Sequence, residues 1–194
     1  LAIDRNNPNT LYLGLGDPFD GTGIGLVKST DAGVTWSDAV GLGSSSVIPQ
    51  VIVAPTNSSV VLAATDKGLY RSTDAGASFA KIALATGQTA DPYVWSIAAT
   101  GGLGFVLSLE ANTAGTTTTD GQIWKSSDNG ATWTKSTGVT KRGGVGRITV
   151  AAATGTGSNG STTVVYAMAA KPLATTATDL ADIFKSTNGG TSFT

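Results

Sequence analysis

Apolar residues along the chain fall in short paired runs: Leu1–Asp4 with Thr10–Leu15, Val47–Ala54 with Val60–Ala64, Val94–Ala99 with Phe105–Leu109, and Arg147–Ala152 with Thr163–Met168. Some alternate apolar with polar or small residues and others are continuously apolar, as half-buried and fully buried strands do. No stretch between them carries a helical period of any length. Turn-forming clusters punctuate the runs, among them Arg5-Asn6-Asn7-Pro8-Asn9 and Pro55-Thr56-Asn57-Ser58-Ser59. Asn and Asp bond their own backbone and Pro pre-sets φ, so these clusters read as linkers between strands. The pattern predicts an all-β chain.

A third strand follows each pair and ends in a basic residue: Gly25-Leu26-Val27-Lys28, Gly68-Leu69-Tyr70-Arg71, Gln122-Ile123-Trp124-Lys125 and Asp182-Ile183-Phe184-Lys185. Each runs into a repeated octet. The copies are Ser29-Thr30-Asp31-Ala32-Gly33-Val34-Thr35-Trp36, Ser72-Thr73-Asp74-Ala75-Gly76-Ala77-Ser78-Phe79, Ser126-Ser127-Asp128-Asn129-Gly130-Ala131-Thr132-Trp133 and Ser186-Thr187-Asn188-Gly189-Gly190-Thr191-Ser192-Phe193. Serine-to-serine spacings of 43, 54 and 60 suit four short strands plus loops in each repeat.

The octet reads as a hairpin turn. Its Asp can accept backbone N–H groups and close the turn on itself. The Gly two places on can take a positive φ that a Cβ would resist. The aromatic is large enough to seal the gap between neighbouring sheets, so Trp36, Phe79, Trp133 and Phe193 are expected in the core. In the fourth copy Asn188 keeps an acceptor oxygen but loses the charge.

S-x-D-x-G-x-[TS]-[WF] is the Asp-box, and the chain resembles the BNR/Asp-box propellers. That group includes sialidases, xyloglucanase-type glycoside hydrolases, sortilin-like domains and photosystem-assembly factors. Three matched copies and one variant imply a β-propeller with four Asp-box blades of four antiparallel strands. The expected blades are residues 1–43, 44–91, 92–144 and 145–194, the last strand of the fourth being incomplete. Four blades stand at the low end of the usual range of about four to eight. The chain therefore reads as part of a larger ring with both ends cut. Open blade faces are an aggregation hazard, so remaining blades or a second copy are expected to cover them.

Composition narrows the chemistry. The net charge is −1, with only four arginines. That leaves no electrostatic footprint for nucleic acid, and no apolar run approaches the roughly 20 residues that span a bilayer as a helix. Cysteine and histidine are both absent, which excludes disulfides, thiolate chemistry, imidazole metal ligands and a Ser-His-Asp triad. The surplus of Gly, Thr, Ser and Ala suggests a bacterial protein that is secreted or held at the cell surface. No cofactor and no metal are expected.

In propellers of this family the boxes lie away from the ligand-binding mouth. Alternating strand direction puts the second-to-third-strand loops and the inter-repeat connectors on the opposite face. That face gathers the candidate ligand-binding residues Asp17, Phe19, Asp20, Asp91, Tyr93 and Arg142. Asp17 and Asp20 lie in a Gly-rich loop that a ligand can approach. A glycosidase needs two carboxyl groups across the scissile bond, and Asp17 or Asp20 with Asp91 or Glu110 could supply them; turn capping or solvation is the competing account. Calcium held by Asp17, Asp20 and loop carbonyls matches no loop signature. Trp95 opens the third blade beside Tyr93, as core or as a sugar platform.

Hairpin closure accounts for Asp31, Asp74 and Asp128. A sialidase would need an Arg-Ile-Pro segment, an arginine triad and a Tyr–Glu pair. Arg-Ile-Pro is missing and Glu110 is the sole glutamate. The texture is closer to xyloglucanase-type hydrolases, through Leu1-Ala2-Ile3-Asp4 and Asn7-Pro8-Asn9-Thr10-Leu11-Tyr12, but these are scaffold residues. With no catalytic constellation visible, the leading expectation is a binding or scaffold module for a glycan or an extracellular protein. The alternatives are a fragment of a secreted endo-acting glycoside hydrolase and a structural subunit of a surface layer or filament.

Overall fold

The computed structural model describes residues 1–17, 21, 23–39, 41–43, 45–84, 91–114, 117–140, 144–153, 163–171 and 180–194. Among them there is no helix, and the strands assemble into separate sheets in chain order. The first sheet is β1 (Ala2–Ile3), β2 (Leu11–Gly14), β3 (Leu26–Ser29) and β4 (Ser37–Asp38), each antiparallel to the next. The second is β5 (Gln50–Ala54), β6 (Asn57–Thr65), β7 (Gly68–Ser72) and β8 (Ala80–Ile82).

Next in the chain come β9 (Val94–Gly101) and β10 (Gly104–Leu109), a separate two-stranded sheet of β11 (Asn112–Ala114) and β12 (Thr117–Thr119), and β13 (Gln122–Ser126) and β14 (Thr134–Lys135); the third sheet joins β9, β10, β13 and β14 in that order. The threonines at 113 and 117–119 have the β-branched side chains that favour an extended backbone. The fourth sheet is β15 (Ile148–Ala153), β16 (Val164–Ala170) and β17 (Leu180–Ser186). It has three strands, yet Thr194 exchanges a backbone pair with Lys185, donating at 3.0 Å and accepting at 2.9 Å. Thr194 thus stands where Ser37, Ala80 and Thr134 pair with Lys28, Arg71 and Lys125. The meander of short antiparallel sheets is the all-β propeller-blade architecture that the repeats predict.

Two compact units divide the chain: Leu1–Val94 with Asn129–Ala131, and Trp95–Asp128 with Thr132–Thr194. In the first, Tyr12, Leu26, Ile48, Val51, Val61, Tyr70 and Phe79 form the apolar core. In the second, Val106, Ile123, Ile148, Val165, Ala167, Phe184 and Phe193 do so. Burying each large side chain contributes about 1.5–3 kcal/mol.

Burial patterns show which faces are covered. β6 is buried at every position from Val60 to Thr65, so both faces of that strand are packed. β16 alternates instead: Val165, Ala167 and Ala169 are buried while Tyr166, Met168 and Ala170 are exposed. A two-residue period with one face in water is the expected reading of such a strand.

The box aromatics follow the same logic and correct one expectation. Phe79 and Phe193 are buried. Each is covered by the segment that follows the fourth strand of the preceding repeat. Gly41 lies directly on the Phe79 backbone, and Phe193 N donates to Thr137 O at 2.9 Å. Trp36 has no preceding repeat within this chain; it is 40 % exposed and is not core. Its indole N–H turns back to the Gly33 carbonyl at 3.0 Å. Trp133 is half-buried.

Candidate functional site

The Asp-boxes are turns stapled from within. In the first, the Ser29 hydroxyl donates to Asp31 Oδ1 at 2.7 Å and accepts from Gly33 N at 2.9 Å. Asp31 in turn accepts from Thr35 N at 2.9 Å and from the Thr35 hydroxyl at 2.6 Å. The second box repeats the set through Ser72, Asp74, Gly76 and Ser78, and the third repeats the Asp128 bonds to Ser126 and Thr132. In the fourth, Asn188 accepts from Ser186 Oγ and Ser192 N but donates Nδ2 to Ser192 Oγ at 2.9 Å. One hydrogen bond runs the opposite way because an amide carries donors that a carboxylate lacks.

These bonds stabilise the charged acid. The Thr35 hydroxyl, then Thr35 N and Ser29, hold the Asp31 carboxyl down at about 2. The Ser78 hydroxyl, then Ser72 and Ser78 N, hold Asp74 at about 2 as well. A carboxylate this committed to its own turn is a poor general acid. The turn also has a feature the motif does not announce: the residue before the glycine is left-handed too, with φ of 60° at Ala32, 56° at Ala75 and 56° at Asn129.

The strand ends opposite the boxes carry the other candidate residues. There Asp17 is exposed, and its backbone bridges Gly21, donating at 2.8 Å and accepting at 3.4 Å. Its loop companions Phe19 and Asp20, and also Arg142, lie outside the described residues. Asp91 is exposed and ion-paired with Lys81. Tyr93 is half-buried immediately before β9.

Glu110, at the end of β10, bonds Arg147 at 3.3 Å, and the Arg147 guanidinium lies 3.7 Å from the centroid of the Trp95 ring. Trp95 is half-buried. It sits between the core and platform readings, with Arg147 across the ring and Glu110 holding Arg147. Cation–π stacking and the ion pair fix the arginine in place. A charge pair of this kind positions a side chain better than it delivers a proton. The only signal in the sequence was a lone glutamate and an arginine, 37 residues apart.

Two further acids at this end act as backbone caps. Asp66 accepts from Ser46 N and Val47 N at 3.1 and 3.2 Å, and Asp120 accepts from Val145 N at 3.1 Å. Beside Asp120, a groove of about 270 Å³ is lined by Gln122, Ile123, Lys135, Ser136, Val139 and Thr140. Its lining mixes short apolar side chains and hydroxyls with the Lys135 ammonium and the Asp120 carboxylate, while Gln122 Oε1 accepts from Trp124 Nε1 at 3.0 Å and the Ser136 hydroxyl donates to Gly190 O at 2.6 Å. Among the described residues no three carboxylates gather in a metal-binding cluster.

Comparison with known proteins agrees with this architecture. A xyloglucanase of Hypocrea jecorina (strain QM6a) is 30 % identical over 134 residues, which cover 69 % of this chain and 14 % of that protein. The crystal structure of an ancestral GH74 enzyme superposes with a TM-score of 0.67 at 23 % identity, over 99 % of this chain and 23 % of its own. A GH74 xyloglucanase from Xanthomonas campestris gives 0.66 at 18 % identity, over 99 % of this chain and 29 % of its own. The chain thus spans less than a third of each of these relatives. The family profile described as sortilin, neurotensin receptor 3 (Sortilin-Vps10) matches residues 25–188, and the chain belongs to that family of Asp-box propellers.

Proposed function

We propose that this chain is the polysaccharide-binding part of an exported protein directed at β-glucans of the xyloglucan class. The observation that carries the reading is kinship with a xyloglucanase over 134 residues. The strand ends opposite the boxes support it. They combine a half-buried tryptophan braced by Arg147 with a groove whose lining carries the hydroxyls of Ser136 and Thr140, the Gln122 amide and the charged groups of Lys135 and Asp120. Sugars are bound in this way, an aromatic face meeting the ring and short polar groups meeting its hydroxyls. Glu110, Asp66 and Asp120 are engaged in ion pairs or backbone caps, which favours binding over acid–base work.

Affinity electrophoresis in gels containing xyloglucan tests the reading. The chain should be retarded, and Trp95→Ala or Gln122→Ala should release it. Migration unchanged by xyloglucan would count against a binding role.

A catalytic reading rests on Asp17, an exposed carboxylate in a glycine-rich loop. In it, Asp17 contributes one of the two acids that glycoside hydrolysis requires, the other coming from elsewhere in a longer protein. Release of reducing sugar by such a protein, abolished by Asp17→Asn with the fold intact, would establish it.

A further inference from the structure

Trp95 lies in β9 between two buried residues, Val94 and Ser96, which hold that part of the strand and give the ring a fixed place. The Arg147 guanidinium carbon stands 3.7 Å from the centroid of the ring. Carbon atoms in contact are best placed about 3.5–4.0 Å apart, so the arginine already lies at stacking distance. A sugar ring laid on that face needs the same space. Arg147 covers the ring from the solvent side, since its own side chain is 30 % exposed.

The arginine is anchored at its base and loosely held at its tip. Gly146 N donates to Ala170 O at 2.8 Å, and Ala170 N donates to Arg147 O at 2.8 Å, so the backbone is tied to β16. At the tip, Arg147 Nη2 donates to Glu110 Oε1 at 3.3 Å. A strong bond between such charged groups is shorter, about 2.7–2.9 Å. Glu110 is 22 % exposed, so solvent reaches both partners and screens the pair. Trp95 and Glu110 come from the third sheet and Arg147 from the lead-in to the fourth, so the cluster forms where two repeats of this chain meet.

We propose that Arg147 is a latch over the Trp95 platform, an inference that rests on the chain binding polysaccharide. In the free chain the guanidinium closes the ring face and Glu110 keeps it there. A glucan binds by displacing it: the arginine backbone stays on β16 while the side chain swings aside and a sugar ring takes its place. Xyloglucan is a neutral polymer, so salt acts on the latch and not on the ligand.

Titration calorimetry with xyloglucan oligosaccharides tests the latch. Arg147→Ala should bind about three- to tenfold more tightly than the parent, the range expected when a partly exposed cation–π stack no longer competes. Glu110→Gln should shift binding the same way by less, and it serves as the test if thermal unfolding shows that Arg147→Ala is not folded. Raising NaCl from about 0.02 to about 0.5 M, which shortens the screening length to about 4 Å, should tighten binding by the parent and leave Arg147→Ala unchanged. Without ligand, acrylamide quenching of Trp95, read as the difference from a Trp95→Phe chain, should rise with the same salt in the parent and not in Arg147→Ala. A parent that binds while both variants bind equally or more weakly would overturn the latch and leave the polysaccharide reading standing. Quenching in the parent that ignores salt would overturn the latch as well. Absence of binding by the parent and both variants would refute the polysaccharide reading and the latch with it.

Discussion

Tyr12 donates its phenolic hydrogen to the carbonyl of Ala75 at 2.7 Å, joining a strand of the first repeat to the Asp-box turn of the second. The ring is fully buried, and burial, followed by the nearby charges of Asp4 and Asp74, pushes the phenol up to about 12. A neutral donor is what the site needs. A phenolate there would face a carbonyl oxygen and two carboxylates.

Tyr12→Phe removes one donor while Lys28 still serves the Ala75 carbonyl, so no acceptor is orphaned. The expected loss is about 1 kcal/mol, the net value of one such bond. It should appear as a lower urea midpoint with an unchanged slope. The same variant tests the alkaline limb. With the folded value raised, stability is full below 10 and declines as pH rises from 10 toward about 12. Tyr12→Phe should flatten that decline, and an alkaline limb equally steep in both proteins would refute the linkage.

Gly76 separates backbone strain from crowding. Its φ is +78° and a Cβ there would press on the Tyr12 ring, whereas Gly25 at +111° opens onto free space. Left-handed strain costs each Ala substitution about 1–3 kcal/mol. Gly76→Ala adds the displacement of a packed aromatic, about another 1–3 kcal/mol. Chemical unfolding of both variants should place Gly76→Ala below Gly25→Ala by that second amount.

Much of this fold could be read from the chain because the octet supplies its own turn chemistry. Ser29, Asp31, Gly33 and Thr35 bond one another within a few residues, so local sequence suffices. The strand pairs were legible through their apolar runs, although β6 begins at Asn57 inside the stretch that reads as linker. What sequence could not show is coverage by neighbours. Trp36 and Phe79 occupy the same motif position, yet one is 40 % exposed and the other buried, because only Phe79 has a preceding repeat lying on it. The Glu110–Arg147–Trp95 cluster was equally hidden, since its members come from three strand ends and carry no shared motif.

Acid should act on the boxes unequally. Asp31 and Asp74 are held at about 2, below the ordinary 3.8. A depressed carboxylate favours the folded state above its unfolded value, and that contribution fades as pH falls from about 4 to about 2. Thermal midpoints measured across this window should therefore drop with acidification. The double variant Asp31→Asn with Asp74→Asn should start lower at neutral pH and change less. An equal acid response in both proteins would show that these carboxylates do not contribute to the acid limb.

The fourth box offers the reverse substitution. Asn188 makes the same acceptor bonds as its Asp counterparts, but its Nδ2 occupies the place of the second carboxylate oxygen and donates to Ser192. In Asn188→Asp, rotation of the Ser192 hydroxyl turns that donation round, so the serine becomes the donor, as Thr35 and Ser78 are in the first two boxes. Hydrogen bonds to a charged acceptor are roughly twice as strong as neutral ones. Near neutral pH the variant should therefore protect the Ser192 amide from hydrogen exchange several-fold better than the parent. As pH falls through about 2, where Asp31 and Asp74 titrate in the same turn, the new carboxyl protonates and the advantage should vanish, while the parent box, with no acid of its own, shows no such step. Equal protection at neutral pH would mean that Asn188 already gives the turn all that an aspartate can.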